Sequence, residues 1–443
     1  KSCCGKTPID KLKGDFLTMR LVTFARFIRM ITKKGPADLD KIQNMGLLAV
    51  KLTQIFALRP DLLSEEKCKQ LQSLYQRANS IPREDSMKLI HDRAPDGFLE
   101  AFSSFDEEPF AAASIGQVHK GVLNDGTNVV VKIIKADFEK SFRKDVIRMK
   151  RWLRIGLFLN PRLRKVGNPV GLLQHVEDYT LKELDLRNEI EGAELLQRKA
   201  KEVEHQFPMP LLSFPRVWPE LSNEHILVME HIESPTLEDR LAEGTMSWDN
   251  LLQLFRIHGA FMFGIGTFHG DLHPGNAMVD DNGKFTFIDT GAISHAPDKV
   301  RSALFGFFFH LAKGELDQSF EAMLLMADTP PSGPAKEKYM ESMHEIYTGF
   351  IGKTVSEISL TQQMMKTVRC AVLAGCRFGE EAFPIIRSLM YMDGMVLRGQ
   401  PNVDLITSMG PYLDEFASIV ELPYSKGSKN SNESTNSDSG MVN

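Results

Sequence analysis

Apolar residues return every three to four positions along residues 15–35, where Leu17, Leu21, Phe24, Ile28 and Ile31 share one side and Arg26, Arg29 and Lys33 the other. That spacing predicts a basic amphipathic helix, able to lie on an anionic membrane or to pack on its own domain with the basic side in water. Residues 42–58 are apolar almost all round, with a narrow polar stripe of Gln43, Asn44, Lys51 and Gln54, and end at Pro60. This pattern predicts one buried helix. An ordinary amphipathic helix follows residue 64, and residues 83–105 read as surface helix and loop. The period then shortens, and two β-rich runs flank Asn124-Asp125-Gly126, a hairpin signal. Residues 138–169 return to a helical pattern, with a basic run over 143–154 expected to be a solvated face. Residues 182–197 predict a helix with Asp185 and Glu189 four apart on one side. Residues 225–232 read as a buried strand, and residues 233–268 as helix. Residues 276–279 and 284–288 form a second hairpin pattern around the turn residues 280–283. Residues 293–420 alternate apolar helices with short loops, their methionines acting as core filler. From residue 425 a Ser/Asn/Gly-rich stretch is expected to be a disordered tail.

Composition narrows the functional classes. The 443 residues are 42% apolar, enough for a sizeable core in a two-lobed enzyme with extensions. With 53 basic against 58 acidic side chains the net charge is −5, which argues against general nucleic-acid binding. Cys3, Cys4, Cys68, Cys370 and Cys376 lack zinc-type spacing and read as reduced thiols of an intracellular protein. The sequence begins at Lys1 without Met, and no targeting segment is visible. No apolar run reaches the roughly 18–20 residues of a membrane span.

The second hairpin carries the chemistry. Asp271, Asn276 and Asp289 stand at its ends within HGDLHPGNAMVDDNGKFTFIDTG, a spacing that matches the catalytic-loop and metal-binding residues of protein kinases. A carboxylate at Asp271 can accept or orient the proton of a nucleophile. The Asn276 amide oxygen and the Asp289 carboxylate are hard ligands of the kind magnesium takes. Upstream, Ala111, Ala112, Ala113, Ser114, Gly116 and Val118 form a small-residue segment that lets backbone approach phosphates. Lys132 ends an apolar strand, where it can meet the α/β-phosphates and a helix Glu. A carboxylate from the 183–189 segment is the natural partner for Lys132, and another for Lys51. The strand at residues 225–232 ends near Glu230 and Ile232, whose backbone groups can meet an adenine.

These segments together resemble the UbiB / aarF-domain-containing (ADCK) atypical kinase family over roughly residues 40–405. The marks are Lys51-Leu-Thr-Gln54, Arg59-Pro-Asp-Leu-Leu63, Ala111-Ala-Ala-Ser-Ile-Gly-Gln-Val-His119, Val131-Lys132, Glu183-Leu-Asp185 with Glu189, residues 269–276, Asp289-Thr-Gly291 and residues 387–405. The resemblance implies an α+β, bilobal protein-kinase-like fold with a small β-rich N-lobe, a helical C-lobe and an N-terminal helical extension packed over the cleft. The corresponding divisions are residues 1–105 (extension with the gating helix), 106–235 (N-lobe with helical insertion), 236–424 (C-lobe with catalytic and metal-binding loops) and 425–443 (tail). It further implies ATP and Mg2+ as cofactors and an ATPase or phosphotransferase linked to ubiquinone or plastoquinone biosynthesis or lipid homeostasis. A lipid or quinone-precursor ligand is implied, with mitochondrial or plastid localisation in a eukaryote. Membrane contact would run through the 15–35 helix. By the same resemblance Lys51 and Gln54 gate the site with Glu183 and Asp185 as their acidic partners. Lys132 meets the phosphates, and Glu189 is its partner, with Glu183 the other candidate. Three positions depart from the family pattern: Thr53 stands for Gly, Leu186 for an aromatic and Gly192 for Asn. Two other readings remain. One is a small-molecule phosphotransferase of the aminoglycoside-kinase type, which shares HGDLHPGN but generally not the alanine-rich segment. The other is a nucleotide-binding scaffold without turnover.

Overall fold

The computed structural model describes residues 21–33, 35–57, 63–72, 80–112, 115–135, 139–159, 169–379 and 381–420. Expectations for residues 15–20, Arg59, Cys3, Cys4, Ala113, Ser114 and the 425–443 tail lie outside the described residues. The chain divides into two compact units. The first comprises residues 1–201, 210–239 and 271–293, the second residues 202–209, 240–270 and 294–443.

The first unit opens with helix α1 (Leu21–Thr32), α2 (Leu39–Asn44), α3 (Leu47–Ala57), α4 (Glu65–Gln72) and α5 (Arg83–Arg93). The single buried helix expected over 42–58 is therefore two. Gly46, at φ +100°, turns the chain between them, a conformation a side chain resists. On α1 the apolar side is spent on the protein's own core, with Phe27 and Ile31 fully buried, while Arg26, Arg29 and Lys33 face solvent. Burying two such side chains contributes about 1.5–3 kcal/mol each.

A five-stranded antiparallel sheet follows, built from β1 (Phe102–Phe105), β2 (Ala111–Ala112), β3 (Gly116–Leu123), β4 (Asn128–Ile134) and a later strand, Ile226–Glu230. The β1 segment, expected as loop, pairs with the edge of β3. Its four-residue Phe-Ser-Ser-Phe is too short to announce a strand. The β3–β4 turn holds Gly126 at φ +87°. Strand β4 shows two-residue alternation with both faces covered. Val129, Val131 and Ile133 join Ile90, Phe98, Trp218 and Val228 on one side. Ile134 joins Phe27, Leu48, Leu52, Phe142 and Val176 on the other. Lys132 shares the parity of Ile134, so its side chain leaves the sheet on the helix-covered face.

Helices α1 and α3 share that cover with α6 (Glu139–Leu159), α7 (Pro169–Glu183) and α8 (Arg187–Glu202). Lys150 of α6 binds both Gln174 and Glu177 of α7. The basic run lies as expected, with Arg143, Lys144, Arg148, Arg151 and Arg154 exposed. The helix expected over 182–197 is broken at residues 184–186, and Asp185 lies in the break rather than on one face with Glu189. It accepts from the Arg187 N–H at 3.1 Å, the bond an N-terminal cap makes. Strand β5 (Leu212–Ser213) pairs in parallel with the later strand Phe285–Phe287, and β6 (Ile226–Glu230) pairs with β4. The hairpin β7 (Ala277–Val279) and β8 (Phe285–Phe287) completes the unit, its turn closed by the Asp280 carboxylate accepting from Asn282 and Lys284 N–H groups at 2.9 Å.

The second unit is largely helical. Helix α9 (Trp248–Gly259) is capped by Ser247 and runs into a π-helical turn, Ala260–Ile265, that ends at Gly266, φ +78°. Further helices include α10 (Asp298–Ala312), α11 (Leu316–Leu325), α12 (Pro334–Tyr347), α13 (Leu360–Leu373), α14 (Ala382–Gly399) and α15 (Gly410–Ala417). Phe263, Phe305 and Phe416 pack there as tilted rings, and no helix among the described residues is long and apolar enough to cross a membrane.

Candidate active site

Strand β4 delivers Lys132, and α8 delivers Glu189 from its first turn. Their side chains form a buried ion pair, and a second carboxylate, Asp289, reaches the same ammonium at 3.3 Å. Burial alone would lower the Lys132 ammonium, but Asp289 and Glu189 outweigh it and hold the lysine protonated above its ordinary value. Burial, with the neighbouring Asp289 charge, pushes the Glu189 carboxyl up despite Lys132. Lys132 is thus a fixed positive charge, almost wholly shielded from water, with one buried and one half-exposed carboxylate on it.

Asp289 follows β8 directly, and its φ of +54° makes it the one non-glycine at positive φ among the described residues. Such a conformation is costly and is tolerated where the surroundings fix it. Here the fixing is visible. Thr290 donates its hydroxyl to the Glu189 carbonyl at 2.6 Å. A Cβ on Gly291 would sit 3.1 Å from Glu189 Cγ, and one on Gly192 would sit 2.1 Å from the Thr290 carbonyl oxygen. Gly192, a departure from the family pattern, is therefore the position that lets the Asp289 loop lie directly on α8.

Asn276 precedes β7, and the Ile288 N–H donates to its carbonyl at 3.0 Å, so the hairpin register sets Asn276 beside Asp289. The Asn276 amide donates to the Asp271 carbonyl at 2.9 Å, which directs its oxygen elsewhere. An amide and a carboxylate, both oxygen donors at one end of one hairpin, fit magnesium, which keeps several waters and needs one or two protein ligands. His273 accepts from the Gly275 N–H at 3.1 Å and shapes the loop between Asp271 and Asn276.

Asp271 receives a hydrogen bond at 2.9 Å from the hydroxyl of Tyr179, a residue of α7 that the sequence did not single out. One turn further along α7, Glu183 pairs with the buried Lys51 of α3, and the Lys51 ammonium lies 5.7 Å from the Tyr179 ring centroid. Glu189 and Glu183 thus take one lysine each. Asp185 does not join Lys51; the Arg187 guanidinium holds it at 2.7 Å and, as the largest cause, keeps its carboxyl below the usual range. Gln54 is buried on α3 next to Thr53, whose hydroxyl is satisfied within the helix by the Ala49 carbonyl at 2.8 Å. Leu186, the other departure, is core.

Ala111 and Ala112 pair with Val118 and Gln117, and Gly116 and Val118 pair with Ile134 and Lys132, so the described parts of the small-residue segment are antiparallel strands beside the lysine. A Cβ on Gly116 would meet the Ile133 carbonyl at 3.0 Å. Glu230 ends β6, its N–H donating to the Arg216 carbonyl at 2.8 Å, with Ile232 two residues beyond. In the second unit Arg387, also not singled out in the sequence, is buried and donates to the Gly270 carbonyl just before Asp271.

The model of the ABC1 atypical kinase-like domain matches residues 73–323. The chain belongs to the ABC1 atypical kinase-like family. Among its UbiB-type relatives, a probable protein kinase UbiB of Cellvibrio japonicus is 24% identical over 413 residues, 90% of this chain and 72% of that one. Another, of Pseudomonas fluorescens (strain SBW25), is 27% identical over 396 residues, 85% of this chain and 70% of that one. An uncharacterized Mycobacterium tuberculosis protein, Rv0647c, is 27% identical over 384 residues, 80% of this chain and 76% of that one. The solved complex of M. tuberculosis Rv3197 with erythromycin superposes with a TM-score of 0.51 at 18% identity, covering 91% of this chain and 98% of that one, a likeness of fold. The architecture is accordingly the α+β, bilobal kinase-like fold of the ABC1 family.

Proposed function

We propose that this ABC1 family member binds ATP with magnesium and works as an ATPase or phosphotransferase supporting isoprenoid quinone biosynthesis or lipid homeostasis. The observation that carries the reading is the Lys132–Glu189–Asp289 cluster, held at a strained Asp289 beside Asn276. When bound, magnesium supplies the positive charge that offsets phosphate oxygens. Asn276 and Asp289 would hold it. Lys132, kept protonated, orients the α/β-phosphates and is itself held by Glu189. The paired strands of Ala111, Ala112, Gly116 and Val118 bring backbone to the phosphates, and the Glu230 and Ile232 backbone meets the adenine. Asp271 takes or orients the proton of the attacking hydroxyl. Lys51, Gln54 and Glu183 form the gate. Membrane association in a mitochondrion or plastid completes the reading for a eukaryotic source, with the exposed Arg26, Arg29 and Lys33 of α1 as the facing charges.

Thermal shift with and without magnesium-ATP, followed by ATP hydrolysis, tests this. The expected result is a magnesium-dependent rise in Tm and a turnover that Asp289→Asn loses. A shift with only background turnover supports a scaffold instead, and turnover that requires a small alcohol acceptor supports a small-molecule kinase. Unchanged quinone and lipid profiles in cells carrying Asp271→Asn would remove the metabolic assignment.

A further inference from the structure

The Asp271 carboxylate is the group that an acceptor hydroxyl must reach, and a hydroxyl of this chain is already on it. The Tyr179 phenol donates to Oδ2 at 2.9 Å, within the range over which a general base engages the proton it takes. The contact spans 92 residues of sequence and joins α7 to the catalytic loop. It is not a loose side chain finding a neighbour. On the N-terminal side of Tyr179, Gln174 and Glu177 are bound by Lys150 of α6. On the C-terminal side, Glu183 is bound by Lys51 of α3. Val176 and Thr180 on the same helix are buried, and the tyrosine ring itself lies under the Lys51 ammonium at 5.7 Å. The helix is clamped at both ends of the turn that presents the phenol.

We propose that Tyr179 occupies the acceptor position of the site: its hydroxyl stands on Asp271 where a substrate hydroxyl or attacking water would stand, and excludes both while α7 is clamped. This deepens the function proposed above and rests on it. The phenol is the right chemical class for the role, a hydroxyl donor matched to a carboxylate acceptor. The clamp also gives the Lys51–Glu183 pair a specific consequence. Holding Glu183 holds Tyr179, four residues earlier on the same helix, over the base. A ligand that draws Lys51 away would release the phenol and open Asp271 to an external hydroxyl.

Tyr179→Phe removes the hydroxyl and keeps the ring beneath Lys51. In the full chain, magnesium-ATP affinity by calorimetry should stay within about twofold, while kcat for hydrolysis rises about three- to tenfold at unchanged KM, the range one hydrogen bond spans. A purely structural role would not split kcat from KM in this way. An unchanged or lower kcat with unchanged affinity overturns the proposal and leaves the ATPase reading standing. Failure of the wild type itself to bind magnesium-ATP overturns both. Circular dichroism checks the fold. Should Tyr179→Phe not fold, Glu183→Gln releases the same turn from its far end: a raised kcat supports the proposal, and a wild-type kcat overturns it.

Discussion

Replacing Gly192 by Ala perturbs the site without touching any charged group. The added Cβ would lie 2.1 Å from the Thr290 carbonyl oxygen and 3.0 Å from its carbon. Both partners are backbone, one in helix α8 and one in the loop that carries Asp289, so no flexible side chain can swing aside. The loop must retreat by about 1 Å to relieve the contact, and overpacking of this kind costs about 1–3 kcal/mol. Alanine regains about 1 kcal/mol of helix propensity over glycine, which offsets part of that loss. The net change in unfolding free energy is therefore small, about 0–2 kcal/mol. Function should suffer far more. Thr290 is tied to Glu189 at 2.6 Å and Asp289 touches Lys132 at 3.3 Å, so a 1 Å retreat parts the Asp289 carboxylate from the lysine. A misplacement of about 1 Å can cost on the order of 100-fold in rate. The assay pairs urea denaturation with ATP hydrolysis. Nearly intact stability with a loss of about 30- to 100-fold in kcat/KM is expected. A Gly192→Ala protein with wild-type hydrolysis would refute the idea that α8 and the Asp289 loop must pack backbone to backbone.

Three other outcomes follow from the same geometry. Glu189→Gln leaves the buried Lys132 with only the half-exposed Asp289, and should cost about 3 kcal/mol in urea denaturation, the low end for breaking a buried pair; a change below about 0.5 kcal/mol would contradict the pairing. His258 is buried in the second unit, and burial, with His269 nearby, lowers its pKa to about 3. The unfolded chain takes a proton on this ring below its ordinary value and the folded one does not, so stability is lost as pH falls from about 6.5 toward 3, by about 2 kcal/mol at pH 5. His258→Leu should flatten that part of the stability profile, and an unaltered acid slope would count against it. Arg387→Met should slow hydrolysis with little change in ATP affinity, because the guanidinium anchors the carbonyl before Asp271; equal losses in binding and rate would argue for general unfolding.

Local patterns were readable where chemistry and turn lie within a few residues. The hairpin between Asn276 and Asp289 is closed by Asp280 and Gly283, and its spacing alone placed those two residues at one end of it. Lys132 was readable as a lone charge after an apolar run, although it does not end the strand as expected, because β4 continues through Ile133 and Ile134. Glu183 and Glu189 could not be apportioned between Lys51 and Lys132 from the sequence, because the break at Asp185 turns two apparent faces of one helix into the ends of two. The Gly46 turn that splits residues 39–57 into two helices was hidden because the helical period continues on both sides of it and the glycine alone marks the positive φ. Tyr179 left no signal, since its partner lies 92 residues away, although a tyrosine four residues before an acidic motif could have been flagged as one helical turn from the gate. Gly192 read as a departure from a pattern, and only the Thr290 carbonyl above it supplies the reason.

The central claim is that Asp289, set against Lys132 and beside Asn276, holds the cation on which nucleotide binding depends. Calorimetric titration of ATP into wild type and Asp289→Asn, each with and without magnesium, addresses it most directly. The account predicts that magnesium tightens ATP binding to the wild type by about tenfold or more and leaves Asp289→Asn nearly unaffected. Equal magnesium enhancement in both proteins, or none in the wild type, would contradict it.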